Sequence, residues 1–358
     1  MKSRTHGTRS PGTHRRDPTR LSASSVKNGR MMRGLARAVG LTAFWLAAPA
    51  SSAEKVTLQL RWVPQAQFAG YYVAKEKGYY REAGLDVTIT PGGPQVSPPQ
   101  VIASGSADII IDWMASALVA REKGVPIVNI AQPFKKSGLQ LTCRADTNIK
   151  LPGDLRGRTL GVWFSGSQYP FLAWMSKLGY RTDGSPGSVT AVKQDTSIDL
   201  LLQNRADCIS TMNYDEYWQL LDAGFTPSQL ATFKYDEQGV ATLEDGIYVI
   251  DSRLRDAGFL ARTAAFVKAS MQGWQYTRQN PEEATKIVLA NSSKGAQNEK
   301  HERRMMDEVD KLLDSSNGKL DPSDYSRTVV ALLAGAFAPV ITRKPVGAWT
   351  HAVYDAMR

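Results

Sequence analysis

The sequence predicts an α/β protein of two lobes, with the second lobe inserted into the first. Three observations carry that expectation. From residue 56 onward, short β-branched runs alternate with helical stretches, which is the pattern of βα units and mainly parallel sheets. A second such series begins near residue 140, and a strand near residue 247 returns after it. No internal repeat or long linker intervenes, so two crossings near residues 140 and 245 are expected to form a two-strand hinge. Lobe 1 is then expected over 54–140 and 245–358, and lobe 2 over 141–244.

The elements follow in order. Val56 to Leu60 alternates as a strand, and Pro64 pushes Val63 into an extended conformation before a helix that runs to about Lys77 and stops at Gly78. Leu85 to Thr90 is the next strand. In "GGPQVSPP", Ser97 is placed to cap a helix with Pro98 in its first turn. Asp108 to Ile111 and Ile127 to Ile130 read as buried strands. In the second series, Leu139 to Cys143, Thr159 to Trp163, Val189 to Lys193 and Asp207 to Thr211 read as strands. Gln168 to Leu178, Ser197 to Gln203 and Asp215 to Leu221 read as helices. Ile247 to Ile250 is a strand, and the remainder is helical, with Asn280 and Pro281 opening one helix and Asp321 and Pro322 another.

Charge is distributed unevenly. Residues 1–53 hold ten Lys or Arg against the single acid Asp17, whereas residues 54–358 hold 34 bases against 33 acids, so the basic character belongs to the leader. That leader reads as an export signal. Arg33 and Arg37 precede an apolar run from Leu41 to Ala50 that ends in Ser51, Ser52 and Ala53, and cleavage is expected after Ala53. Met31 and Met32 sit where such a peptide would normally begin. No cysteine follows the run, so no lipid anchor is implied, and a Gram-negative periplasm is the expected compartment. Cys143 and Cys208 are the only cysteines, and they read equally well as a bridge or as two buried thiols.

Much chemistry is absent. Beyond the leader only His301 and His351 remain, far in sequence from either cysteine, so no metal cluster is expected. There is no nucleophile elbow, phosphate loop or dinucleotide fingerprint, and no cofactor is implied. The run "EKHERRMMDEVDK" matches its cations with acids at helical spacing, which reads as a solvated helix face and not as a nucleic-acid surface.

What the chain does have is rings and polar groups where strands end, the place where open α/β sheets bind ligands. Trp62 and Phe68 follow the first strand; Asp112 and Trp113 follow the third. Trp163 and Gln168 follow the Thr159 strand, and Asn213, Tyr214 and Glu216 follow the Asp207 strand. Aromatic faces stack on flat rings, while carboxylates and amides bond their edges. The implied ligand is planar, nitrogen-bearing and not anionic. Asp112, Glu216 and Glu244 would repel a sulfonate or phosphate, and on this reading no arginine sits at these strand ends to offset them.

The same residues carry a family resemblance. "LRWVPQAQFAGYYVAKEKGYYREAGLDV", "GSADIIIDW", "GRTLGVWFSGSQYPFLAWM", "MNYDEYWQLLDAG" and "ATLEDGIYVI" together resemble the substrate-binding proteins of ABC importers with the thiamine-pyrimidine-synthase-like fold, a type II periplasmic binding protein fold. The resemblance implies a monomeric receptor that hands its ligand, a thiamine-precursor pyrimidine or a flavin, to a permease. It places Trp62, Gln65 and Gln67 at the cleft, with Tyr71 or Tyr72 packed beneath. Tyr79 and Tyr80 read as support.

Two further readings compete: a receptor of the same fold for a sulfonate-like or amino-acid-like solute, and the fungal enzyme that gives the family its name. That enzyme needs a lysine to form an imine with pyridoxal phosphate, a histidine four residues later, and a cysteine-rich stretch. Asp112 and Ser116 stand at the first two positions, and Ala241 to Asp245 at the third. A carboxylate forms no imine, so the resemblance implies a carrier and not an enzyme.

Overall fold

This computed structural model describes residues 52–292, 298–313, 317–335 and 338–358. The export leader expected from the sequence lies outside the described residues up to residue 51. Among the described residues, no helix is long and apolar enough to cross a membrane.

In chain order the strands β1 to β4 are Glu54–Gln59, Leu85–Thr90, Ile109–Asp112 and Ile127–Ala131. Strands β5 to β9 are Leu139–Arg144, Thr159–Val162, Thr190–Lys193, Cys208–Met212 and Leu230–Lys234, and β10 is Gly246–Ile250. Helices α1 to α6 are Ala69–Glu76, Tyr79–Glu82, Pro98–Ala103, Met114–Glu122, Gln168–Lys177 and Asp199–Leu202. Helices α7 to α12 are Glu216–Asp222, Ala257–Gln279, Pro281–Asn291, Glu299–Asp310, Pro322–Leu333 and Ala352–Ala356.

The strands form two five-stranded sheets, ordered β2-β1-β3-β10-β4 and β7-β6-β8-β5-β9. Each is mixed, which corrects the expectation of mainly parallel sheets. Strand β10 runs antiparallel to β3 and β4, and β5 runs antiparallel to β8 and β9. The reason is the connectivity: β5 and β10 are the strands on which the chain enters the second sheet and returns to the first. Strand β9 was not anticipated. Its residues alternate only weakly between buried and exposed at a sheet edge, so "LATFK" gives little periodic signal.

Local chemistry explains the helices around the first sheet. Pro64 precedes a 3-10 turn, Ala66–Phe68, that runs into α1, and α1 gives way at Gly78, which adopts a left-handed conformation with φ 81°. Ser97 precedes α3 with Pro98 and Pro99 in the first turn, yet its side chain makes no capping bond, contrary to expectation. The long helix α8 is capped by Asp256, which accepts from Phe259 N. It lies tightly on α1, where a Cβ at Gly273 would fall 2.0 Å from the Gly70 carbonyl oxygen. Tyr71 and Tyr80 stack on Phe266 of α8 at 6.4 and 5.2 Å, and Tyr79 meets Tyr276 at 6.4 Å. These tyrosines hold helices together.

The charged run on α10 has a solvated face, as expected, and also a buried one that the spacing does not announce. Arg303 pairs with Asp307 and Glu282 near the surface, but His301, Glu302, Met305, Met306 and Val309 are buried.

Cys143 of β5 and Cys208 of β8 sit directly opposite one another in the ladder and are joined by a disulfide. The bridge closes a sequence separation of 65 residues, so the chain-entropy model assigns it about 4 kcal/mol. Replacing both cysteines with serine is expected to lower unfolding stability by roughly 2–4 kcal/mol in guanidinium titrations; an unchanged midpoint would contradict this.

Candidate ligand-binding site between the two lobes

The loop after β1 brings Arg61, Trp62, Gln65 and Gln67 to the centre of the molecule. It is pressed against the loop after β2, where Gly92 N donates to the Trp62 carbonyl at 2.9 Å. A side chain at residue 92 would collide with the Arg61 carbonyl carbon, 2.3 Å from an added Cβ. The close backbone approach therefore requires glycine.

Arg61 is buried, and its guanidinium lies 4.1 Å over the ring of Trp113. Its Nε is 3.6 Å from Asp112 Oδ1, and its Nη2 donates to Ser167 Oγ of the other lobe at 2.7 Å. A chain of amides runs alongside: Gln65 Nε2 donates to Gln67 Oε1 at 2.9 Å, and Gln67 Nε2 to Asp245 Oδ2 at 2.8 Å. Burial pushes the carboxyl groups of Asp112 and Asp245 up to about 6 in each case, against the opposing pull of Arg61. This corrects the reading that no arginine stands at the strand ends. Arg61 is a cation placed there and flanked by two acids.

The second lobe contributes Trp163, Ser167, Met212 and Glu216. Trp163 Nε1 donates to the Asp195 carbonyl at 2.8 Å, which fixes the indole. Its ring meets Trp62 edge-on, with centroids 6.1 Å apart at 62°. Glu216 opens α7 and accepts from Met212 N at 2.9 Å; burial, then the neighbouring charge of Asp215, raises its carboxyl well above the usual range. Ser165 Oγ donates to the Pro94 carbonyl at 2.9 Å, so the lobes touch beside the cavity as well as across it.

Of the residues expected at the site, Trp62, Gln65, Gln67, Trp113, Trp163 and Glu216 line this cavity. Its volume is about 20 Å³, room for one water. A wider groove of about 950 Å³ adjoins it and shares Trp62, Gln65 and Glu216.

The others lie elsewhere. Asp112 is fully buried behind Arg61, and Phe68 is core. Gln168 accepts from Gly166 N at 2.8 Å and shapes the loop before α5. Asn213 and Tyr214 pack against Gly138, where an added Cβ would lie 2.7 and 3.0 Å from their side chains.

Glu244 is also off the cavity. Its carboxylate accepts from Ser137 Oγ, from Gly138 N at 3.1 Å and from Leu139 N at 3.3 Å, while its carbonyl accepts from Gln132 Nε2. Residue 244 stands on the chain returning to β10, and residues 132–139 on the chain leaving β4, so Glu244 ties the two crossings together.

Sequence reasoning missed Arg61, Ser167 and Met212. The available signal was Arg61 itself, adjacent to Trp62 and two residues past the end of β1.

With this geometry in view, comparison with known proteins gives a class. The chain belongs to the NMT1/THI5-like family, whose sequence profile matches residues 65–284. It is 28% identical over 248 residues to the formylaminopyrimidine-binding protein of Halalkalibacterium halodurans, covering 66% of this chain and 71% of that one. It is 27% identical over 252 residues to the riboflavin-binding protein RibY of Chloroflexus aurantiacus, covering 68% and 69%. Similarity to a 4-amino-5-hydroxymethyl-2-methylpyrimidine phosphate synthase of Saccharomyces cerevisiae is confined to 87 residues at 31% identity, 23% of this chain and 26% of that one. Among solved structures, the periplasmic aliphatic sulphonate binding protein SsuA from Escherichia coli superposes with a TM-score of 0.58 at 14% identity, covering 78% of this chain and 85% of that one. The shared architecture is the two-lobed type II periplasmic binding protein fold.

Burial, reinforced by Asp245, pushes the Glu244 carboxyl up to about 8 even though it accepts three hydrogen bonds. A carboxyl whose folded value is raised stabilises the fold fully below its unfolded value and loses that contribution as pH rises through the folded one. Stability is expected to fall between about pH 5 and pH 8, on the order of a few kcal/mol. Glu244→Gln should flatten that decline in denaturant titrations across the range. Parallel profiles for the two proteins would show that Glu244 is not responsible.

Proposed function

We propose that this protein is an exported receptor of an ABC importer that holds a planar nitrogen heterocycle, uncharged or cationic, between its lobes and passes it unchanged to a permease. The class of ligand is a thiamine-precursor pyrimidine or a flavin-like ring. The reading places the working protein in the periplasm after cleavage near Ala53, as a monomer. Its lobe 1 spans 54–140 and 245–358, its lobe 2 spans 141–244, and it hinges at the crossings tied by Glu244.

One observation carries the choice of ligand. Among the described residues, the only cation lining the cavity is Arg61, and Asp112 at 3.6 Å already offsets it. The cavity is otherwise lined by the rings of Trp62, Trp113 and Trp163, the amides of Gln65 and Gln67, Ser167, Met212 and the carboxyl of Glu216. Rings stack on the first set, and donors and acceptors at a ring edge meet the others. The names of two relatives, a formylaminopyrimidine-binding protein and a riboflavin-binding protein, agree with that chemistry.

The two indoles touch each other across a cavity with room for one water, so a ring enters only when the lobes part. Reclosure on the ligand adds contacts from both sides at once, and closure is favoured by the difference in affinity between closed and open forms. Asp112 supports carriage over the imine chemistry of the family's enzyme. It is a buried carboxylate where an imine-forming enzyme would need an amine.

A second reading, an anion receptor, is favoured by Arg61 itself. Calorimetry with formylaminopyrimidine, riboflavin and an alkanesulfonate separates the two. Binding of a heterocycle is expected, weakened about tenfold by Trp62→Ala or Trp163→Ala. Asp112→Asn should weaken it further and leave the sulfonate silent. Sulfonate binding that strengthens in Asp112→Asn, with both heterocycles silent, would overturn the heterocycle reading.

A further inference from the structure

Beside the Ser165 bond to Pro94 and the packing of α5 on α4 and α11, two sets of cross-lobe contacts stand out. Arg61 with Ser167 and Trp62 with Trp163 lie inside the cavity, where a ligand can replace them. A second set lies outside it, between α10 of the first lobe and α7 of the second. His301 Nε2 is 2.9 Å from Asp215 Oδ1, and both side chains are buried, at 7% and 6% exposure. Arg304 Nη1 donates to Asp222 Oδ2 at 3.1 Å, and its guanidinium lies 4.7 Å from the Trp218 ring. His301 and Asp215 line the outer groove and not the small cavity, so a ligand held in that cavity need not displace their bond.

Both partners are held in advance. Asn298 caps α10 by accepting from His301 N at 2.8 Å, and Gln219 Nε2 donates to Asp215 Oδ1 at 2.7 Å. Helix α10 is itself seated on the first lobe: it packs along α9 and the 3-10 turn behind Trp62 and Gln65, with Glu302 buried there. Ser292, at the end of α9, donates to the Pro64 carbonyl at 3.0 Å. Asp215 directly precedes Glu216, which lines the cavity. One helix therefore connects the two walls of the site from outside it.

We propose that His301 is a positioning residue that latches the lobes through Asp215, with Arg304 as the outer arm, so that the pair maintains a closed population without ligand and lengthens ligand residence. A hydrogen bond to a charged partner at a buried site shifts such an equilibrium by about tenfold or more. Its effect falls on release, because the bond forms only after the lobes have met.

The latch is tested on the ligand-free protein, and only its effect on residence rests on the receptor reading above. X-ray scattering is compared for the wild type, His301→Ala, Asp215→Ala and the double variant. Each single change is expected to lower the closed-to-open ratio about tenfold and so raise the radius of gyration, with the double variant no more open than either single one. Unchanged scattering from folded single variants, or effects that simply add, would overturn the latch. Should His301→Ala fail to fold, Arg304→Ala is the variant read: a smaller opening supports the latch and no opening overturns it. His301→Gln retains a donor and should recover part of the closed population; recovery of stability without recovery of closure would mark His301 as merely structural. With riboflavin and formylaminopyrimidine as probes, His301→Ala should release the bound probe about tenfold faster with little change in association, and an unaltered release rate would overturn the residence claim. If neither probe binds even the wild type, the proposed function fails while the scattering result still decides the latch.

Discussion

A buried arginine between two carboxylates sets the character of the centre of this molecule. Taking Arg61 out of water costs several kcal/mol, which the protein offsets with Asp112, the face of Trp113 and the hydroxyl of Ser167. Such a pair adds little net stability, but it leaves no tolerance for losing one partner. It also fixes what the cavity can offer. Arg61 is offset from behind by Asp112, and on the proposed reading the rings around it are the main source of affinity for a ligand. The amide chain from Gln65 through Gln67 to Asp245 extends the same arrangement from the loop after β1 to the return crossing.

That crossing explains why the Glu244 carboxyl is buried. Glu244 collects donors from the Ser137 hydroxyl and from the N–H groups of Gly138 and Leu139, where the chain leaves one sheet and begins the next. A side chain with two acceptor oxygens satisfies them where a strand cannot. The two crossings are thereby joined at one point. Helix α10 adds a second connection between the lobes, where His301 and Arg304 meet α7. Connection at both places gives this form contacts that do not depend on what lies in the cavity.

The architecture was readable in the sequence because α/β periodicity survives without tertiary context: the buried runs of β3 and β4, the proline-opened helices and the late return of β10 all announce themselves. The meeting of Trp62, Trp113 and Trp163 was readable for a related reason, since each follows a strand and strand ends converge in this class of sheet. Arg61 was overlooked because its role exists only when Ser167 arrives from the other lobe and Asp112 lies behind it. Glu244 looked like a group for a ligand because sequence shows its charge but not the three donors already pointing at it. His301 looked like part of a solvated face because the spacing of charges on α10 is helical on both sides, and nothing in that spacing says which side meets Asp215. Edge strand β9 left no clear period at all.

The most direct test is mass spectrometry of the small molecules released when the protein is purified from its own host and then denatured. One flat nitrogen-containing compound, neutral or cationic, is expected, released intact at near-equal stoichiometry from a chain of unmodified mass. Recovery of a sulfonate or phosphate in its place, or of a covalent adduct on the chain, would contradict the proposed reading.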